Sequence, residues 1–248
     1  MSKVFTPRPY QTMIRDHILD VPRCAIWAGM GMGKTTGTLN ALDLLSITEG
    51  DPMLVVAPLR VARSTWPDEA GKWSHLSGLE VVPVLGSPSE RLAALRVDAP
   101  VYTTNYENLP WLVEQWGERW PYKTVVLDES TKVKGFRTRQ GGMRARALGT
   151  VAHTKIKRIV ELTGTPSPNG LQDLWGQAWI VANALAVASQ PLASAGFAQN
   201  PMASASSRCP TPRLRFRTRC ATSALPWMRV IGSTSRSQSL PTSSWTCP

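Results

Sequence analysis

The 248-residue chain is poor in cysteine and histidine, with four and three respectively. Three of the cysteines, Cys209, Cys220 and Cys247, sit near the end, too sparse for a disulfide framework. They show no metal-ligand spacing with each other or with His17, His75 and His153. Long apolar runs are missing too. The uncharged stretch Leu174–Ser207 is broken by Gln, Asn, Ser and Pro191, whereas a membrane helix needs about 20 predominantly apolar residues. No apolar segment follows MSKVFTPRPY, so no secretion signal is expected. These absences point to a reducing cytosolic compartment, a host cell's if the source is viral.

The most uneven absence is of acidic charge. Residues 182–248 contain no Asp, Glu or Lys, but seven Arg, twelve Ser and seven Pro. The whole chain carries +11, whereas residues 1–181 hold 21 cations against 17 acids, or +4. The high isoelectric point therefore reports the tail and is weak support for a nucleic-acid footprint. Two readings of the tail stand. One is a solvated, disordered basic segment. The other is a shifted reading frame in GC-rich DNA, which would remove Asp, Glu and Lys together. The expected organisation is one domain over residues 5–181 and a low-order basic tail over 182–248.

Within the first 181 residues, short apolar runs alternate with helical patterns. Strands are expected at 24–28, 53–58, 80–85, 101–105, 124–128 and 158–163. Their near-continuous Val, Ile and Leu content suits strands buried on both faces. Helices are expected over Pro9–Leu19, Lys34–Ile47, Val61–Trp73 and Leu109–Trp120. A further helix should start at Ser87-Pro88-Ser89-Glu90, a capping box with proline in the first position. Such alternation predicts an α/β domain, a mostly parallel sheet with helices on both faces. Trp111, Trp116 and Trp120 read as packing or lobe-interface residues, with base stacking as the alternative. The basic stretch from Lys132 to Arg146 reads as a solvated loop and helix, with nucleic-acid phosphates as the alternative.

Ala28-Gly29-Met30-Gly31-Met32-Gly33-Lys34-Thr35-Thr36 follows an apolar strand and opens a helix, the setting a phosphate loop requires. Gly29, Gly31 and Gly33 permit tight turning and aim backbone N–H groups at phosphate oxygens. Lys34 would reach the β- and γ-phosphates of ATP, Thr35 would bind Mg²⁺, and Thr36 would complete the cradle. Thr124-Val125-Val126-Leu127-Asp128-Glu129 ends an apolar strand in two acids. Asp128 would hold Mg²⁺ and Glu129 would polarise the attacking water. A third segment reads LTGTPSPNGLQDLW from Leu162 to Trp175.

Together these segments resemble the N-terminal RecA-like lobe of superfamily 2 helicases, closest to SNF2-like DNA translocases. AGMGMGKT is similar to their DEMGLGKT, and LTGTPSPNGLQDLW to their LTGTPxxNxxxELW. Arg8-Pro9-Tyr10-Gln11 resembles an RPYQ element, which implies that Gln11 reads the adenine edge. Val55-Val56-Ala57-Pro58 with Trp66 and Lys72-Trp73 resembles motif Ia, and VYTTNYENL from Val101 resembles their TTYE segment. The resemblance implies ATP and Mg²⁺ as cofactors and DNA, tracked along its double-stranded backbone, as partner. It assigns coupling to Thr131, Thr163, Gly164 and Thr165, and DNA contact to Pro58, Arg60, Thr103 and Thr104, with capping of the strand end as the alternative for the last two. It implies no membrane and no small-molecule substrate beyond ATP. The family reads DEAH or DEGH where this chain reads Asp128-Glu129-Ser130-Thr131, so Thr131 replaces the coupling histidine. Such motors also need a second lobe that supplies an arginine finger, and nothing after residue 181 resembles one. Two alternatives are another phosphate-loop enzyme, such as a DNA-packaging ATPase, and a lobe that binds nucleotide or DNA without turnover.

Overall fold

The computed structural model describes residues 2–133, 142–166, 172–181 and 228–231. Seven strands form one sheet: β1 (Arg23–Ala28), β2 (Met53–Ala57), β3 (Val81–Pro83), β4 (Val101–Asn105), β5 (Thr124–Asp128), β6 (Arg158–Thr163) and β7 (Met228–Ile231). Their spatial order is β3-β4-β2-β5-β6-β1-β7, and every neighbouring pair is parallel. The helices are α1 (Pro9–Asp20), α2 (Lys34–Thr48), α3 (Trp66–Lys72), α4 (Pro88–Ala94), α5 (Leu109–Trp116), α6 (Met143–Ala152) and α7 (Gln172–Val181). A π-helical turn, Val61–Thr65, leads into α3.

Both faces of the sheet are covered, and the strands show it residue by residue. Val55, Val126, Val160 and Leu162 join a core with Ile14, Ile18, Leu39 and Leu42 of α1 and α2 and with Trp66 of α3. The alternate residues Leu54, Val56, Val125, Leu127 and Ile159 join a second core with Leu109, Leu112, Leu148, Val151 and Ile180 of α5, α6 and α7. Period-two alternation between two apolar layers is why these strands read as continuous hydrophobic runs. Among the described residues no helix is long and apolar enough to cross a membrane.

The capping box at α4 is present. Ser87 N–H donates to Glu90 Oε2 at 2.6 Å, and Glu90 N–H donates to Ser87 Oγ at 3.4 Å. Three expectations are corrected. The helix from Leu109 stops at Trp116 rather than Trp120, because Gly117 takes φ +49° and turns the chain away. Trp120 is buried from a short 3₁₀ segment beyond, its indole N–H donating to Tyr122 O at 2.9 Å. Helix α7 was not anticipated, and α6 was expected only as the helical part of the basic stretch that ends at Arg146. Strand β7 lies within the supposed low-order tail, pairing Met228 to Ile231 with Ala25 to Ala28 along the β1 edge. Otherwise the tail expectations, including the three late cysteines, lie outside the described residues. So do Lys134, Arg137 and Arg139 of the basic stretch.

Two arginines fasten the edge of the sheet where β1 and β6 begin. Arg23 donates to Ala152 O, Ile180 O and Val181 O at 2.9 Å each and to Ile156 O at 3.0 Å. It thus satisfies carbonyls at the ends of α6 and α7 that have no partner inside their helices. Arg158 does the same for α1 through Ile18 O and Leu19 O, and pairs with Glu49.

Glu161, in the middle of β6, is fully buried, and neither carboxylate oxygen has a hydrogen-bond partner among the described residues. Burial pushes this carboxyl well above the ordinary carboxylate range. The folded state therefore keeps a proton that the unfolded chain releases. That raised folded value makes stability greatest in acid and lowers it as pH climbs above the ordinary carboxylate range, by about 1.4 kcal/mol per pH unit until the buried group ionises. Glu161→Met removes this liability at similar volume. Urea midpoints should rise for the variant at about pH 8 and converge with the parent at about pH 4. Equal midpoints at both values would show that Glu161 carries no such burden.

Candidate nucleotide-binding site

The three segments singled out from sequence meet at one edge because of strand order. Strand β6 lies between β1 and β5, with Thr163 opposite Trp27 and Leu162 opposite Asp128. The loops leaving β1, β5 and β6 are therefore side by side at the carboxyl edge of a parallel sheet, where α/β folds bind ligands.

From β1 the chain turns through residues 29–33 into α2. Gly31 and Gly33 sit at φ +74° and +61°, left-handed values that a side chain would strain. A Cβ on Gly33 would also come within 2.4 Å of Gln11 Nε2. The first amides of α2 lack intrahelical partners and line a hollow of about 260 Å³ bounded by residues 31–36, Thr65 and Glu69. Lys34 Nζ donates to Ala28 O at 2.7 Å and Gly29 O at 3.1 Å, so the ammonium lies over its own loop. A phosphate in the hollow would offer it stronger, charge-assisted acceptors. The larger hollow, about 340 Å³, lies against Pro52, Tyr102, Trp116 and Tyr122, away from these groups.

Gln11 belongs to the site but is partly committed. Its Oε1 accepts from Arg8 N–H at 2.9 Å, closing the first turn of α1, while Nε2 rests against Gly33. Thr35 lines the hollow. Thr36 borders the same hollow but is committed: it is buried, and its hydroxyl donates to Glu69 Oε1 at 2.6 Å. The same oxygen accepts from Trp73 Nε1 at 2.9 Å, and Lys72 reaches Oε2 at 3.1 Å. Burial alone would raise the Glu69 carboxyl, but these donors outweigh it and hold it below the ordinary range.

The two acids differ in surroundings. Asp128 is buried at the end of β5, and its Oδ2 accepts from Trp66 Nε1 at 3.0 Å. Burial pushes its carboxyl up, while the Trp66 bond and the Lys34 ammonium oppose the rise. Its backbone carbonyl accepts from the wholly buried Tyr106 hydroxyl at 2.7 Å. Glu129 is half-buried at φ +59°, where it is the only non-glycine in the left-handed region among the described residues. Backbone strain of this kind concentrates where geometry serves function.

Beyond β6, Thr165 N–H donates to Thr163 Oγ1 at 3.1 Å, and a Cβ on Gly164 would lie 3.5 Å from Ala28 O. The Thr163–Pro166 turn thus abuts the phosphate loop, and residues 167–171 of the third motif lie outside the described residues. Thr131 is half-buried. Pro58 and Arg60 follow β2 at this same edge, with Arg60 exposed. Thr103 and Thr104 do not fit the DNA contact expected of them. Both are fully buried in β4, donating to Ala62 O at 2.7 Å and Val84 O at 3.0 Å. Sequence reasoning placed Trp66 in the motif Ia resemblance and Tyr106 in the TTYE resemblance without foreseeing their bonds to Asp128, and gave no role to Glu69 or Gln177. Trp66 and Glu69 begin and support α3 at 3-residue spacing, a hint that the helix carries more than packing.

Among the described residues, no three or more His, Cys, Asp or Glu form a metal-holding group. A divalent ion would instead be shared between nucleotide phosphates, Thr35 and Asp128. The residues fit that use, since Asp128 is a preplaced buried carboxyl and Thr35 faces the hollow.

Fold and loop together define a phosphate-loop α/β lobe. Residues 20–181 match the SNF2-related domain family, and the chain belongs to that family. It is 59% identical over 182 residues to "Putative protein p41" of Acyrthosiphon pisum secondary endosymbiont phage 1, covering 72% of this chain and 40% of that protein. It is 28% identical over 155 residues to "ATP-dependent DNA helicase DDM1" of Arabidopsis thaliana, covering 59% of this chain and 19% of the relative. The fold is similar to that of the solved "Sulfolobus solfataricus SWI2/SNF2 ATPase core in complex with dsDNA", with a TM-score of 0.57 at 24% identity, over 73% of this chain and 36% of that one. The chain thus spans two fifths or less of the length of these proteins.

The geometry separates neighbouring threonines. Thr36→Val should cost about 0.5–1.5 kcal/mol of stability, because half-buried Glu69 loses one donor and keeps those of Trp73 and Lys72. It should leave Mg·ATP affinity within about threefold of the parent. Thr35→Val should instead lower the Mg²⁺ dependence of binding. Urea titration and calorimetry on both variants check this, and equal losses of affinity would return Thr36 to the phosphate cradle.

Proposed function

We propose that this chain carries the nucleotide-binding lobe of an ATP-dependent DNA translocase or helicase. The observation that carries the reading is the meeting of Lys34, Asp128 and the Thr163–Pro166 turn at one sheet edge, ordered by β6 between β1 and β5. Membership of the SNF2-related domain family supports this class over a packaging ATPase.

In this reading, Gly31, Gly33 and the first amides of α2 cradle the phosphates, and Lys34 leaves Ala28 O and Gly29 O to meet them. Gln11, held against Gly33, faces the adenine. Mg²⁺ supplies charge neutralisation when it arrives with the nucleotide, and Thr35 and Asp128 would hold it. Glu129 orients the attacking water and accepts its proton. Arg60 and Pro58 lie toward the DNA. Tracking along double-stranded DNA belongs to the whole motor.

The experiment begins with Mg·ATP calorimetry. Lys34→Ala should weaken binding by about tenfold or more without unfolding, since it removes a charge-assisted donor. Equal affinity for variant and parent sinks the assignment. Glu129→Gln should bind ATP as the parent does and turn none over. Turnover by the chain itself should be slow, because an arginine finger is worth roughly 10³–10⁵ in rate and belongs to a second lobe. Rapid DNA-stimulated hydrolysis by the 248-residue chain alone would overturn that division.

A further inference from the structure

Gln177 joins two loops that the sheet itself leaves apart. Beyond the last in-register pair, Asp128 opposite Leu162, β5 and β6 diverge. Glu129 turns off at φ +59°, and the residues after Thr163 bend toward Ala28 O. Across this gap Ser130 Oγ donates to Gln177 Oε1 at 2.8 Å, and Gln177 Nε2 donates to Pro166 O at 2.8 Å. Ser130 and Gln177 are both buried, at 0% and 2% exposure. A carboxamide is the side chain suited to this task, because one rigid plane carries both an acceptor and a donor. An amide taken out of water is costly unless it is bonded, so these bonds hold both loops against a common rod.

We propose that Gln177 is a positioning residue that transmits nucleotide occupancy from the acid pair to the Thr163–Pro166 turn, taking the role expected of Thr131. This rests on the nucleotide-binding reading above. Asp128 is pinned at its side chain by Trp66 and at its carbonyl by Tyr106, so the loop leaves its fixed point at Glu129. Any shift of Glu129 toward a bound phosphate moves Ser130 next, and the amide carries that displacement to Pro166 O. Thr131, one residue further, is half-buried while Ser130 makes the contact.

Amide hydrogen exchange tests this in the full chain, with and without Mg²⁺ and a non-hydrolysable ATP analogue. In the parent, both 129–131 and the amides of Gly164 and Thr165 should slow on adding nucleotide. Gln177→Met should keep nucleotide affinity within about threefold and keep the slowing at 129–131, yet lose it at Gly164 and Thr165. Ser130→Ala cuts the same bridge from the other side, and combining it with Gln177→Met should add nothing further. A purely packing role would not separate the two regions in this way. Slowing at Gly164 and Thr165 that survives in either single variant overturns the bridge alone. A parent that shows neither calorimetric binding nor slowing at 129–131 overturns the nucleotide reading and the bridge with it.

Discussion

Strand β6 is bonded on one side to β1 and on the other to β5, and in-register pairing along both fixes where three loops leave the sheet. Rise along neighbouring strands is equal, so a register set in the apolar interior is delivered unchanged to the edge. Trp27 opposite Thr163 and Asp128 opposite Leu162 place the phosphate loop, the acid pair and the threonine turn at one height. A one-residue slip of β6 would exchange Val160 and Leu162 with Ile159 and Glu161 between the two cores. The apolar cores that hold the register therefore also set the positions of groups that have no apolar character.

The opposite edge is fastened by charge rather than by loops. Arg23 and Arg158 begin β1 and β6, two of the three strands whose loops form the site, and each closes helix ends that packing alone would leave with bare carbonyls. Arg23 gathers both α6 and α7, so the helix that carries Gln177 is anchored at its far end to the strand that carries the phosphate loop. Glu161 lies between these edges without a hydrogen-bond partner among the described residues. The sheet tolerates it because a neutral carboxyl is far less costly to bury than an ionised one.

Strands were legible wherever both faces are buried: β4, β5 and β6 begin and end at the residues expected. Local chemistry also carried the α4 capping box and the phosphate loop. The misreadings share one cause, since side-chain direction and long-range partners leave no mark on spacing. Thr103 and Thr104 look like exposed polar residues at a strand end, yet their hydroxyls link β4 to the π turn and to Val84. Thr36 looks like a phosphate ligand because it follows Thr35, yet it answers to Glu69, 33 residues away. Gln177 is 47 residues from Ser130, and no pattern joins them in the chain. The apolar spacing of Ala145, Leu148, Val151 and Ala152 in α6 was readable and overlooked among basic neighbours. Four residues are too few for β7 to show a period at all.

Adjacent acids on one strand end would repel each other if both faced the same space. The backbone eases that conflict, although the Glu129 charge still helps to raise the Asp128 carboxyl. Asp128 ends the strand in a regular conformation, its side chain tied to Trp66 and its carbonyl to Tyr106, whose phenol burial keeps neutral and donating. At Glu129 the chain leaves the sheet at φ +59°, so the second carboxylate departs along a different direction. Left-handed backbone at a residue with a Cβ costs roughly 1–3 kcal/mol, and the neighbouring bonds at Asp128 and Ser130 over-determine it. One acid is thereby buried and fixed while the other is half-exposed and held on a strained hinge. Carboxylates placed in such unlike environments are suited to unlike tasks, a stationary ligand and a group that meets water. The Gln177 bridge begins at the residue after that hinge, so strain relieved at Glu129 has a defined place to go.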